Sequence, residues 1–231
     1  MPHTVAFVFA HPDDETFMCA CLIRQLADRG EKPLLLLATN GDAGKTGYLG
    51  PMTKEQLAAK RVQEMETAAQ IMGLAGVEYL AYPDGKLNTI NKELFTDKVV
   101  SFLNREQAEV VVTFPPNGGN GHPDHIAISD IARRAVISGR CPTVQKLYYT
   151  AFTVLPGAER SISFSIDTEA QWSMKSKALQ AHESQLLSIH RVFGDLIQFP
   201  EERRYESFVL AWERGVFYPP KKERFILDDL V

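Results

Sequence analysis

The stretch Phe7-Val8-Phe9-Ala10-His11-Pro12-Asp13-Asp14-Glu15 decides how the rest of this chain is read. Val5 to Ala10 is an apolar run of aromatic and β-branched side chains, the pattern of a strand buried on both faces. Pro12 cannot donate to a ladder, so the strand stops there and a helix should follow. His11, Asp13, Asp14 and Glu15 therefore fall on the turn between the two. Acids favour a helix N-terminus for ordinary electrostatic reasons, which accounts for Glu15 as a structural first-turn acid. A histidine with two adjacent aspartates at the mouth of a buried strand asks for more. Open α/β sheets bind their ligands at strand carboxyl ends.

The same logic recurs about a hundred residues on. Ala108 to Phe114 reads as a buried strand, followed by the glycine-rich loop Pro115-Pro116-Asn117-Gly118-Gly119-Asn120-Gly121, then His122-Pro123-Asp124-His125 and a helix from Ile126 to about Ser138. Between the two stretches, a helix from Asp14 to Arg29 is closed by Gly30, and Leu34 to Ala38 is a second buried strand. Thr53 N-caps a long helix from Lys54 to about Met72, ended by Gly73. Val77 to Ala81 is a third strand before the turn Tyr82-Pro83-Asp84-Gly85, Asn91 to Asn104 a helix, and Lys146 to Thr150 a fifth strand. Successive strand–helix units imply an α/β, Rossmann-like, mostly parallel sheet with right-handed crossovers and helices on both faces.

After Ala151 the pattern loosens. Ser161 to Ile166 alternates like an edge strand, Thr168 to Ala181 is helical, and Tyr205 to Trp212 reads as a last strand. No repeat or linker splits the chain, so the expectation is a single domain over residues 1–231, with a core of about 1–150 and an α+β extension of about 151–231. Composition agrees: 231 residues, 45% hydrophobic and 23% charged, are those of an ordinary globule. A net charge of −4 without a basic cluster argues against a nucleic-acid partner. No apolar run reaches membrane-spanning length and no basic-then-apolar leader is present, so no membrane partner is expected. Cys19, Cys21 and Cys141 read as reduced thiols, which points to a cytoplasmic protein.

Two histidines and a carboxylate form a catalytic metal shell with open positions. If the loops after the first and fourth strands face each other across a switch point, His11, Asp14 and His125 can hold one ion. Zn2+ fits this ligand set, and so does Fe2+ or another divalent ion. Asp13 is then left beside the metal, placed to take a proton from water whose pKa the ion lowers. His122 is left to polarise a carbonyl or protonate a leaving group, and Asp124 to fix its tautomer, unless Asp124 is only a helix cap. Such a set suits hydrolysis of an amide or ester. Arg61 and Glu64, one turn apart, read as a surface ion pair. His182 alone reads as a satisfied histidine. Gly44-Lys45-Thr46 is not a phosphate loop, because Thr39 stands where the motif needs glycine.

Ala10-His11-Pro12-Asp13-Asp14-Glu15 together with His122-Pro123-Asp124-His125 resembles the two signatures of the LmbE/PIG-L family of metal-dependent N-acetylglucosaminyl deacetylases. The resemblance extends through Thr39 to Gly44, the Arg61-to-Glu64 helix, Pro83-Asp84-Gly85 and Ala181-His182-Glu183-Ser184-Gln185. It implies zinc on His11, Asp14 and His125, Asp13 as general base and His122 as electrophilic partner. It also implies that Asp42, Arg61 and Asp84 grip sugar hydroxyls and that His182 and Gln185 line the pocket. The implied partner is a small N-acetyl sugar substrate: a GlcNAc-malate-type thiol precursor, a small N-acetyl oligosaccharide or a secondary-metabolite glycoside. A homo-oligomer is also implied, for which Phe217-Tyr218-Pro219-Pro220 is a candidate surface. The chain departs from the family at Asp42, where relatives usually carry glutamate, and at Asn120, where some carry an oxyanion-holding tyrosine. A metal-dependent hydratase or lyase on the same scaffold, acting on a carboxylated small molecule, is the alternative. A nucleotide-binding module is disfavoured, because no Gly-x-Gly-x-x-Gly follows the first strand.

Overall fold

The computed structural model describes residues 1–151 and 162–231. The first strand, β1 (Thr4–Phe9), is buried at every position, as its unbroken apolar run requires. It pairs in parallel with β2 (Lys32–Thr39) on one side and with β4 (Val110–Thr113) on the other. β3 (Gly76–Tyr82) lies outside β2, and β5 (Lys146–Thr150) outside β4, again in parallel. Two C-terminal strands complete the sheet by antiparallel pairing, β7 (Tyr205–Glu213) on β5 and β6 (Phe164–Asp167) on β7, with the short β8 (Val216–Phe217) on β7. The order β3-β2-β1-β4-β5-β7-β6 reverses direction between β1 and β4. That reversal opens a crevice above the carboxyl ends of these two strands, where the two histidine loops emerge.

The helices are α1 (Asp14–Asp28), α2 (Lys54–Met72), α3 (Lys92–Arg105), α4 (Pro123–Ile137), α5 (Trp172–Ala181) and α6 (Leu186–Phe193). α2 begins with a full capping box, in which Thr53 accepts from the Gln56 N–H and the Gln56 side chain accepts from the Thr53 N–H, and it ends at Gly73 with φ +80°. α4 starts three residues before the expected Ile126, with His122 as N-cap and Pro123 in its first turn. Asp124 and His125 thus sit on a rigid helix end and not in a loop. The expected edge strand appears as β6; its start at Ser161 lies outside the described residues. The C-terminal strands also feed the main core, to which Phe164, Phe208, Leu210 and Phe225 contribute beside Phe7 and Phe9.

α1 is gripped at its middle by that C-terminal region. The buried Lys175 ammonium donates to the Phe17 carbonyl at 3.0 Å and pairs with Glu206 at 2.7 Å. Glu206 accepts from the N–H groups of Cys21 and Leu22, both at 3.0 Å. An ion pair is thus interposed between Phe17 and Cys21, residues whose backbone groups ordinarily bond directly to each other in a helix.

Candidate active site

Three residues, His11, Asp14 and His125, bring potential ligand atoms together above the switch point. His11 Nδ1 and His125 Nε2 lie 3.3 Å apart, His125 Nε2 is 3.3 Å from Asp14 Oδ1, and His11 Nδ1 is 3.5 Å from Asp14 Oδ2. Ligands bonded at about 2.0–2.1 Å to a tetrahedral ion stand about 3.3 Å from one another, and these spacings, measured to the two different oxygens of Asp14, bring one atom of each residue within reach of a single ion. The other nitrogen of each ring is already engaged. His125 Nδ1 is 3.2 Å from the Gly118 carbonyl, and its ring stacks on Phe114 with centroids 4.0 Å apart. His11 Nε2 faces Asp84 Oδ1 at 3.0 Å and Asp124 Oδ2 at 3.4 Å. Outer acceptors of this kind fix a ligating histidine in the tautomer that presents its other nitrogen. Asp14 is aimed by the His11 N–H, which donates to Oδ2 at 2.8 Å.

The charges of the cluster favour a cation. Burial by itself would lower the His11 pKa, but hydrogen bonds to Asp124, Asp14 and Asp84 lift it well above normal. Burial would raise Asp14, yet His125 and His11 outweigh it and hold this carboxyl well below the usual range. A proton and a divalent ion compete for such a nitrogen. The donor set fits a metal.

Asp13 stands beside this triangle and is not one of its corners. Its carboxylate pairs with Arg61 at 3.1 Å, and its backbone sits at φ 131° and ψ −29°, a conformation unusual for a residue with a Cβ. Burial pushes the Asp13 carboxyl up to about 6, against the opposing pull of Arg61. That is a useful pKa for a general base near neutrality.

His122 is less buried than His11 and His125, and its ring centroid is 5.1 Å from that of His11 and 4.8 Å from that of His125. Its Nδ1 accepts from the Asp124 backbone N–H at 3.2 Å, leaving the proton on Nε2. Burial and the neighbouring histidines lower its pKa, so the ring is a neutral donor. The Asp124 backbone, and not its carboxylate, therefore sets the tautomer of His122. The fully buried carboxylate accepts from the N–H groups of Gly85 at 2.7 Å and Leu87 at 3.0 Å, and it braces His11. This corrects the expected role of Asp124.

The remaining candidates divide. Asp84 is drawn inward: one oxygen faces His11 and the other accepts from the Ala43 N–H at 2.8 Å. Asp42 is half-buried, accepts from the Asp84 N–H at 3.4 Å, and borders a groove of about 310 Å³ lined by Asn40, Lys54, Tyr82 and Pro83. Asn120 is exposed, with its side-chain oxygen accepting from the His122 N–H at 2.9 Å. Arg61 and Glu64 are each only 3% exposed, and each bonds elsewhere, so they are not a surface ion pair. Glu64 accepts from both the backbone N–H and the hydroxyl of Ser184.

Gln185 donates to the Lys45 carbonyl at 2.9 Å, tying down the 44–47 loop. His182 is fully buried with Nε2 on the Thr16 hydroxyl at 3.0 Å; that hydroxyl donates to Glu15 at 2.6 Å. Neither His182 nor Gln185 joins the histidine cluster. Glu15 is in the first turn of α1 as expected, but fully buried, and burial pushes its carboxyl up to about 8. What sequence reading missed is this supporting layer, and the pairing of Ser184 with Glu64 left no local signal in the chain.

Residues 6–136, more than half of the chain, match the family model described as PIG-L: GlcNAc-PI de-N-acetylase. The chain belongs to the PIG-L family. A PIG-L relative from Rhodococcus erythropolis, named 1D-myo-inositol 2-acetamido-2-deoxy-alpha-D-glucopyranoside deacetylase, is 30% identical over 197 residues, covering 72% of this chain and 67% of that one. Alignments with three curated relatives of that name span 45%, 67% and 65% of the relatives' own length. Two solved structures share the fold. The N,N'-diacetylchitobiose deacetylase from Pyrococcus horikoshii has a TM-score of 0.70 at 22% identity, over 90% of this chain and 83% of that one. GalB, a 4-carboxy-2-hydroxymuconate hydratase from Pseudomonas putida, has 0.67 at 19%, over 93% and 98%. At these identities the likeness is one of fold, and that fold is found in a hydratase as well as a deacetylase.

Proposed function

We propose that this PIG-L chain is a zinc-dependent N-deacetylase that hydrolyses the acetamide of an N-acetylglucosaminyl conjugate. The observation that carries this reading is the triangle of His11, Asp14 and His125 with Asp13 held beside it and off it. Membership of a deacetylase family and the names of its relatives support the substrate class. His11 Nδ1, Asp14 and His125 Nε2 would hold the ion. When bound there, a divalent ion supplies Lewis acidity toward water and the acetyl oxygen.

The protein's own groups do the rest. Asp13, ionised above about pH 6, takes a proton from the water that attacks the acetyl carbonyl. The neutral His122 donates from Nε2 to the oxyanion that forms. As the C–N bond breaks, the proton held by Asp13 passes to the departing amine, so water, acetate and free amine balance. Asp42 and the adjoining groove offer the sugar its polar contacts, and the exposed Asn120 offers a further one beside His122. The buried, free thiols of Cys19, Cys21 and Cys141 suit a reducing, cytoplasmic setting. Among the described residues no helix is long and apolar enough to cross a membrane.

The test is acetate release by the zinc-reconstituted protein from N-acetylglucosaminyl inositol, N-acetylglucosaminyl malate and N,N'-diacetylchitobiose, with hydration of an unsaturated carboxylic acid run beside it. Turnover of at least one amide is expected. Hydration without acetate release overturns the reading.

A further inference from the structure

Arg61 projects from α2 into the space between two loops. Its Nη2 holds Asp13 Oδ2 at 3.1 Å and donates to the Pro12 carbonyl, while Nη1 donates to the Gly41 carbonyl at 3.1 Å. One planar cation thus ties the turn after β1 to the turn after β2. The second turn is shaped around it. A Cβ at Gly41, where φ is +71°, would fall 2.3 Å from Nη1, and one at Gly44 would fall 2.9 Å from it. Such fits need glycine, because any side chain would displace the guanidinium.

Three of the five guanidinium N–H donors of Arg61 are engaged by Gly41, Pro12 and Asp13, the residue is 3% exposed, and Nε is buried without a partner. What the guanidinium does contact is the carboxylate at φ 131° and the carbonyl that precedes it. A backbone held in so sparse a region needs neighbours that over-determine it, and unrestrained it would relax. Lysine could match the charge but not the fork that spans three oxygens.

We propose that Arg61 is a positioning residue that fixes the Asp13 carboxylate and its turn against the Gly41 loop, and that this, more than any contact with sugar, is what it contributes to turnover. The kinetic part of this inference rests on the deacetylase reading. A structural part does not. If Arg61 positions the base, its loss lowers kcat and leaves KM nearly unchanged; if it grips sugar, KM rises.

The experiment compares Arg61→Lys, Arg61→Ala and Gly41→Ala with the parent, all zinc-reconstituted, by acetate-release kinetics, metal content and crystal structure. Expected is a fall in kcat of about 100-fold, within the range that a positioned acid–base group contributes. KM should stay within about threefold and metal content should not change. Millimolar methylguanidinium should restore part of kcat to Arg61→Ala and none to Asp13→Asn. In the crystal the Asp13 carboxylate should be displaced while His11, Asp14 and His125 keep their places. A tenfold rise in KM with kcat unchanged, or an unmoved Asp13, overturns the inference. Should the parent release no acetate, the deacetylase reading falls and the Asp13 position in the variants still decides the role of Arg61. Arg61→Lys and Gly41→Ala keep both readouts open if Arg61→Ala fails to fold.

Discussion

Two clusters of buried charge sit at different places in one sheet, and they are built on opposite plans. Behind the C-terminal strands charges are matched: Lys175 with Glu206 at 2.7 Å, Lys146 with Glu223 at 2.6 Å, and Lys221 with Glu213 and Glu223 at 2.8 and 3.0 Å. Above the switch point they are not. Asp13, Asp14, Asp84 and Asp124 share Arg61 and histidines that carry charge only when protonated. Burying a charge is tolerated when a partner stands against it and is expensive otherwise. The C-terminal cluster is therefore complete within the chain, whereas the crevice keeps a deficit of positive charge that a bound divalent ion would make good. Burial alone does not tell a structural charge from a functional one; the imbalance does.

The largest effect expected from this contrast is at Asp13. Replacing Asp13 by Asn should preserve bound metal and lower acetate release by about 10²–10⁴-fold, measured against metal content in the same preparation. Near-normal turnover would show that the surplus acid is not the base. A smaller effect, and of a different kind, belongs to the matched cluster. Glu206→Gln leaves the Lys175 ammonium buried without its counter-ion and should destabilise the fold by about 3–5 kcal/mol in urea titrations. The double change Lys175→Met with Glu206→Leu should recover much of that. If the single and double variants unfold alike, the pair is not a self-contained unit.

The smallest effect concerns His182, which burial and then Arg61 push down to about 3. It stays neutral in the fold while the unfolded chain takes up a proton below about pH 6.5. Its contribution is thus fully present above that pH and is lost as pH falls from 6.5 toward 3. Between pH 6 and 4.5, His182→Asn should flatten the stability profile by about 1 kcal/mol per pH unit. An unchanged slope would place the acid sensitivity elsewhere.

How much of this was legible depends on where partners lie along the chain. β1 and α2 were readable because their signals are local: an unbroken apolar run, and Thr53 and Gly73 at the two helix ends. The convergence of His11, Asp14 and His125 was readable because each loop carries its ligand types within a few residues and the strand order brings the loops together. The early start of α4 is hidden because Pro123 reads as part of the glycine-rich loop, although proline is at home in a first helical turn. Arg61, Glu64, Gln185 and Glu206 were harder. Their partners, Gly41, Ser184, Lys45 and Cys21, are 20 to 185 positions away, and nothing in a local window distinguishes a buried ion from a solvated one. His182 reads by itself as a satisfied histidine, and the structure shows it with one ring nitrogen bonded and the other without a partner.

The ion pair set into the middle of α1 acts as a pin through an axle. Successive residues of a helix differ by about 100° in direction, so a small roll of α1 would turn Asp14 away from the two imidazoles. Glu206 forbids that roll by holding two amides at the waist of the helix. The bearing of a carboxylate at the reaction centre is thereby set from the far end of the polypeptide, and wear at that distant bolt would be felt first as lost aim.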